Sequence, residues 1–146
     1  AGLTALGAPQ APPLDQPLRV ITQRGVPTDG VSEAGLPGAQ VAALFERFSD
    51  VELVQLDDLG QLDWTTIPRD HRLPVLVSNH RNRYAQRSRD WQPRLHLVLW
   101  NPFQALDVAA PTLLTWGYAN GALAALRAWL EGRGAAPGRS PVRLQA

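Results

Sequence analysis

An α/β domain built on a mainly parallel sheet of about five strands is what this sequence predicts, and three observations carry the prediction. Short apolar runs recur at 18–22 (LRVIT), 51–56 (VELVQL), 74–78 (PVLVS), 95–100 (LHLVLW) and 112–116 (TLLTW). Runs of that kind suit strands covered on both faces, as parallel strands are. Several of the segments between them show helical periodicity, which gives crossover units and a right-handed winding. At 146 residues, 45% apolar and 18% charged, the chain suits one packed core rather than two. Together these describe a three-layer sandwich of the flavodoxin-like kind, with the first of the five runs at the centre of the sheet.

The elements follow in order. Residues 1–17 hold four prolines and little periodicity, which reads as an extended linker outside the core. The first strand, 18–22, closes on Gln23, Arg24 and Gly25, and 26–36 mixes Gly, Pro, Asp and Ser as a loop does. Pro37 then opens a helix whose buried face is Val41, Leu44, Phe45 and Phe48, at i, i+3, i+4 and i+7. Asp57 and Asp58 stop the second strand. From 59 to 72 the pattern is mostly irregular, with a helical turn around Trp64. A short helix is expected at 83–91, with Tyr84 and Trp91 one heptad apart on its inner side. Residues 101–111 have two prolines and no helix pattern. The last helix enters at Asn120 and leaves at Gly132, with Leu123, Leu126 and Leu130 on one face, and the tail 140–144 is expected to add at a sheet edge.

Composition removes several function classes. A net charge of +1 gives no general attraction to nucleic acid or to an anionic membrane. With no cysteine, thiol catalysis, disulfides and cysteine metal sites are excluded. No apolar run approaches the ~20 residues that cross a bilayer, and no signal peptide is visible. The opening AGLTALGAPQAPPLDQP lacks a starting Met and reads as an excised fragment or a processed product. All the basic residues are arginine, so there is no Walker A loop; G-x-G-x-x-G and G-x-S-x-G are absent as well. His71, His80 and His96 have no metal-binding spacing, and neither a metal nor a cofactor is expected.

Ligands of open α/β sheets lie beyond the carboxyl ends of the strands. Here those positions bring Asp57 and Asp58, Asn79 and His80, Asn101, and the aromatic rings after the fifth strand. Carboxylates, amides, an imidazole and rings suit a polar ligand such as a sugar. Capping of strand ends is the competing reading for each of them. Hydrolysis of a glycosidic bond needs two flanking carboxyl groups, whereas side chains at adjacent Asp57 and Asp58 point to opposite faces of an extended strand. Glu33, in the loop after the first strand, is a long-shot catalytic candidate. His96 alternates with Leu95 and Leu97 and reads as a hydrogen-bonded core residue. Arg81, Arg83, Arg87 and Arg89 suit a solvated face or a patch docked on acidic residues of a partner domain.

The stretch APTLLTWGYANGALAALRAWLEGRGAAPGRSPV, 110–142, resembles the end of the C-terminal domain of family 3 glycoside hydrolases. Members of that family finish on P-x-G-K-L-P-V, and this chain has Pro137, Gly138, Arg139, Ser140, Pro141 and Val142, with Arg for Lys and Ser for Leu. LHLVLWNPF, 95–103, is similar to the family's apolar strand followed by Asn-Pro. The resemblance covers about the last third of the chain. It implies a domain at 18–146 that packs on an N-terminal TIM barrel of the same polypeptide, with 1–17 as the linker from it. It also implies that the nucleophilic Asp lies in that barrel. In one branch of the family the acid/base is a Glu of this domain, and no such motif can be matched here. In the β-N-acetylglucosaminidase-like branch it is an Asp-His pair on a barrel loop, which leaves this domain noncatalytic and able only to lend a loop to the sugar cleft. Two further readings stand beside that one. The first is a free-standing flavodoxin-like module that binds a small polar ligand, and the second is an independent hydrolase using His80. Trp91, Trp100 and Trp116 are candidates for covering an interface with a missing domain.

Overall fold

The computed structural model describes residues 3–26, 36–116, 120–134 and 137–139. In chain order the strands are β1 Thr4–Leu6, β2 Leu18–Gln23, β3 Val51–Leu56, β4 Leu73–Ser78, β5 Leu95–Val98, β6 Thr112–Leu114 and β7 Gly138–Arg139. The helices are α1 Gly38–Val41 and α2 Asn120–Leu130. The strands join in one mixed sheet ordered β3-β2-β4-β5-β6-β1-β7. β2 pairs in parallel with β3 and β4, β4 with β5, and β5 with β6. β1 then runs antiparallel to β6 and parallel to β7. The first apolar run, expected at the centre, is thus second from one edge.

A larger difference concerns the opening segment. Expected as a linker outside the core, it supplies β1, and Leu3 is buried in the main apolar cluster. Gly7 and Ala8 follow with φ of 73° and 53°, a left-handed turn that carries the chain off the sheet. Backbone hydrogen bonds to β6 and the Gly138 N–H donated to the Leu3 carbonyl supply what the local sequence does not. Ser140 to Leu144, expected to add at an edge, lies outside the described residues, as does Glu33; the edge strand β7 ends at Arg139.

Alternation along each strand sorts side chains to two faces. Leu18, Val20, Val75, Val77, Leu95 and Leu97 point to one, where α1 and α2 cover them. Val41, Leu44, Phe45 and Phe48 are buried on that side as their spacing predicts, although α1 gives way at once to a 3-10 segment, Ala42–Phe45. Leu126 and Leu130 of α2 join the same cluster. The helix ends in a turn closed by Gly132 at φ 76°, with the N–H groups of Arg133 and Gly134 both donated to the Ala128 carbonyl.

The opposite face has no α-helix among the described residues. Four 3-10 turns cover it instead: Leu59–Gln61, Trp64–Thr66, Gln86–Asp90 and Pro102–Leu106. The last of these occupies a loop expected to lack helix, and Asn101 caps it with Pro102 in its first turn. Ile21 and Leu76 of the sheet meet Leu59, Leu62, Tyr84 and Trp91 there. Trp91, a candidate for an interface, is a core residue at 2% exposure.

Arg19 projects from β2 on this side and is buried, so its charge must be met inside the protein. Asp70 receives two guanidinium hydrogen bonds, at 2.8 and 3.0 Å, and Glu52 two more, at 3.2 and 3.3 Å. These partners hold the guanidinium proton more firmly than in water and keep the Asp70 carboxyl well below the usual carboxylate range.

Gly38 starts α1 against the ends of β2 and β3. A Cβ at that position would lie 2.5 Å from the Gln55 side-chain oxygen and 2.7 Å from the Gln23 carbonyl. The carbonyl cannot swing away without losing its hydrogen bond from the Asn79 amide, which ties the ends of β2 and β4. Gly38→Ala is therefore expected to destabilise the fold by about 1–3 kcal/mol in urea denaturation. A change under about 0.5 kcal/mol would show that α1 is free to lift from the strands.

Candidate functional site

The carboxyl ends of the strands gather the predicted site residues, but the structure uses most of them to hold its own loops. Asn79, just past β4, is fully buried. Its amide donates to the Gln23 carbonyl at 2.8 Å and the Leu36 carbonyl at 2.7 Å, and its oxygen accepts from the Gln23 N–H at 3.2 Å. These bonds tie the ends of β2 and β4 to the start of α1. Asn101 donates to the Arg81 carbonyl at 2.9 Å and accepts from the Phe103 N–H at 3.0 Å, which fixes the turn after β5. Asp57 is exposed and pairs with Arg24. Asp58 caps the Leu59–Gln61 turn through the Gly60 N–H at 3.0 Å.

His80 belongs to a buried polar relay that the sequence did not announce. Its Nδ1 accepts the Asn82 N–H at 3.2 Å, so the ring proton sits on Nε2 and is donated to the Tyr84 hydroxyl at 3.1 Å. Tyr84 then donates to Ser78 at 2.6 Å, and Ser78 to Nε2 of His96 at 2.6 Å. The chain of protons runs one way. It leaves His96 protonated at Nδ1, a buried atom with no partner among the described residues. Burial lowers the pKa of His80 to about 4 and that of His96 to about 3, and raises that of the Tyr84 phenol. Both imidazoles are neutral near neutral pH, as the relay requires.

Gln104 and Asp107 complete the arrangement, and neither was singled out in the sequence. Gln104 donates to the carbonyls of His80 and Asn82 at 2.9 and 2.8 Å. Asp107 takes a fork of two bonds from Arg83, at 2.8 and 2.7 Å, and one from the Tyr84 N–H at 3.0 Å. Of the arginines expected on a solvated or partner-facing patch, Arg83 is thus matched within the chain, and Arg81 lies 5.9 Å from the Trp100 ring centre. The signal that would have found Gln104 is its place in a capped turn directly after Asn-Pro.

Among the described residues, two rings stand on the surface beyond the ends of neighbouring strands: Phe103 after β5 and Trp116 after β6, 46% and 44% exposed. Trp116 adopts φ 60°, which is strained for a bulky side chain, and its indole N–H is donated to the Thr4 hydroxyl at 2.8 Å. No group of three or more His, Asp or Glu side chains among the described residues is placed to hold a metal ion. Nor is any helix among them long and apolar enough to cross a membrane.

The molecule is therefore an α/β protein with a mixed sheet and few helices, in which the polar residues at the strand ends are committed to the framework. Compared with family models, with curated proteins and with solved structures, the chain matches none.

Proposed function

We propose that this chain is the noncatalytic C-terminal accessory domain of a family 3 glycoside hydrolase of the β-N-acetylglucosaminidase-like branch, packing on a catalytic TIM barrel of the same polypeptide. In this reading the sheet is a variant of the flavodoxin-like three-layer sandwich whose second outer layer is reduced to 3-10 turns.

The observation that supports it is the state of the carboxylates at the carboxyl end of the sheet. Asp57 is paired with Arg24, Asp58 caps a turn, and Asp107 is held by Arg83 and the Tyr84 N–H. Glycoside hydrolysis requires two carboxyl groups facing one scissile bond, and these three face structural partners. His80, the other catalytic candidate, spends both ring nitrogens inside the protein. Exposed Phe103 and Trp116 suit a surface that another domain covers, and from there a loop of this domain reaches toward a sugar cleft.

The test is hydrolysis of chromogenic β-N-acetylglucosaminide, β-glucoside and β-xyloside by the 146-residue chain and by the product of its complete gene. Turnover only by a longer product, with a barrel of roughly 250 residues ahead of this domain, is the expected result. Turnover by the chain alone would end this reading.

A further inference from the structure

An open groove of about 720 Å3 lies toward the other end of the sheet, between the Trp64–Thr66 and Gln86–Asp90 turns. Leu62 and Trp91 form its buried floor, and Trp64 and Ile67 stand half-buried in its wall. The floor is fixed, because the Trp91 indole N–H is donated to the Leu62 carbonyl at 3.0 Å. A second hollow of about 520 Å3 continues past Trp64, Ile67 and Arg69 to Arg94, at the amino ends of β4 and β5. Both volumes fall in the range of small-molecule sites.

Charge differs along the groove. The first hollow carries Asp63 and Asp90 beside Arg69 and Arg87. Asp63 is already engaged, accepting from the Thr65 N–H at 3.0 Å and hydroxyl at 2.6 Å. In the second hollow the one carboxylate, Asp70, is held by Arg19 and by the Arg72 N–H. Arg72 is answered by Asp50 and Glu52. The carboxylate of the second hollow is thereby engaged, and Asp90 belongs to the first. Arg69 and Arg94 are exposed and have no ion pair among the described residues. A half-buried indole thus stands between a mixed hollow and a cationic one. Guanidinium forks match carboxylate and phosphate, and an indole face takes a flat ring.

We propose that this groove binds a small anion built on a ring, with the ring on Trp64 and its carboxylate or phosphate between Arg69 and Arg94. The proposal does not rest on the accessory-domain reading. It concerns the opposite end of the sheet and is tested on this chain by itself.

Four probes separate the chemistry: adenosine monophosphate, digalacturonate, the neutral sugar cellobiose, and inorganic phosphate. Each is titrated into the chain and followed by tryptophan fluorescence and calorimetry. Expected is saturable binding of one or both ring anions with Kd of about 1 mM or below, at least about tenfold tighter than cellobiose or phosphate. Which anion binds distinguishes phosphate from carboxylate. The double variant Arg69→Ala/Arg94→Ala, altered only at exposed side chains, should weaken that binding by about tenfold and reduce its salt dependence. Trp64→Ala should weaken it similarly while Trp64→Phe restores most of it. Absence of binding by both anions would overturn the proposal. So would equal binding of cellobiose, or affinities unchanged in the arginine double variant.

Discussion

Trp91→Ala is expected to lower the free energy of unfolding by about 3–5 kcal/mol, the range for emptying an aromatic site in a packed core. The indole is 2% exposed, and its ring meets Tyr84 edge-on with centroids 4.9 Å apart. Its N–H answers the Leu62 carbonyl, which the alanine variant would leave without that donor. Trp91 also closes the face of the sheet that, among the described residues, 3-10 turns cover, and it packs there with Leu59, Leu62 and Tyr84. Against a total stability of about 5–15 kcal/mol the loss is large, and Tm should fall by about 10 °C. Phe103→Ala, at an exposed ring, should change stability by only about 0.5 kcal/mol in either direction. Equal effects of the two substitutions would show that Trp91 is not part of the core.

The second large effect is acid destabilisation beginning well above the carboxylate range. His80 and His96 are buried neutral, with pKa lowered to about 4 and about 3 from an ordinary 6.5. For a group whose folded pKa is depressed, the unfolded chain binds the proton first. Stability is thus fully present above pH about 6.5 and falls as pH drops toward 4, with His96 continuing to about 3. While both histidines contribute, the slope is about 1.4 kcal/mol per pH unit for each. The nearby charges of Asp58 on His80 and Asp107 on His96 oppose the shifts, but burial outweighs them. Asp70, whose carboxyl is held low by Arg19, adds its own loss only below about 4. Urea denaturation at about pH 7, 6 and 5 should show the decline, and His96→Gln should halve its slope. A flat profile between about pH 7 and 5 would rule out both histidines as its source.

How much of this was legible depends on where each element gets its stability. β2 and β4 each differ by one residue from the runs read in the sequence, because well-covered strands are continuous apolar runs, and β3 occupies the residues read although it is a half-buried edge strand and not one covered on both faces. The pattern Val41, Leu44, Phe45 and Phe48 marked the buried face but not the helix type, since a 3-10 turn continuing a short α-helix buries the same positions. β1 was unreadable. Three residues beside prolines have no periodicity of their own, and their partners lie in β6 and β7. At the strand ends the sequence located Asn79, His80 and Asn101 but not their direction, and their amides and imidazole turn inward. The Ser78–Tyr84–His96 relay crosses between a strand, a loop and the neighbouring strand, so no local spacing encodes it. The groove around Trp64 is built from two turns and the amino ends of two strands, outside the strand-end rule altogether.

β1 also sets a schedule for synthesis. Thr4 pairs with Leu114 on one side and Gly138 on the other, so β1, the earliest strand of this sheet to be made, waits for its neighbours until about a hundred further residues have been translated. At ribosomal rates that interval is roughly 5–20 s, during which the parallel strands can assemble without it. Pro9, Pro12, Pro13 and Pro17 lack the N–H that strand pairing needs, so the segment after β1 is kept from extending that strand along a sheet edge. The opening that looks like a tether in the sequence thus takes its place in the sheet after the parallel strands, between β6 and β7.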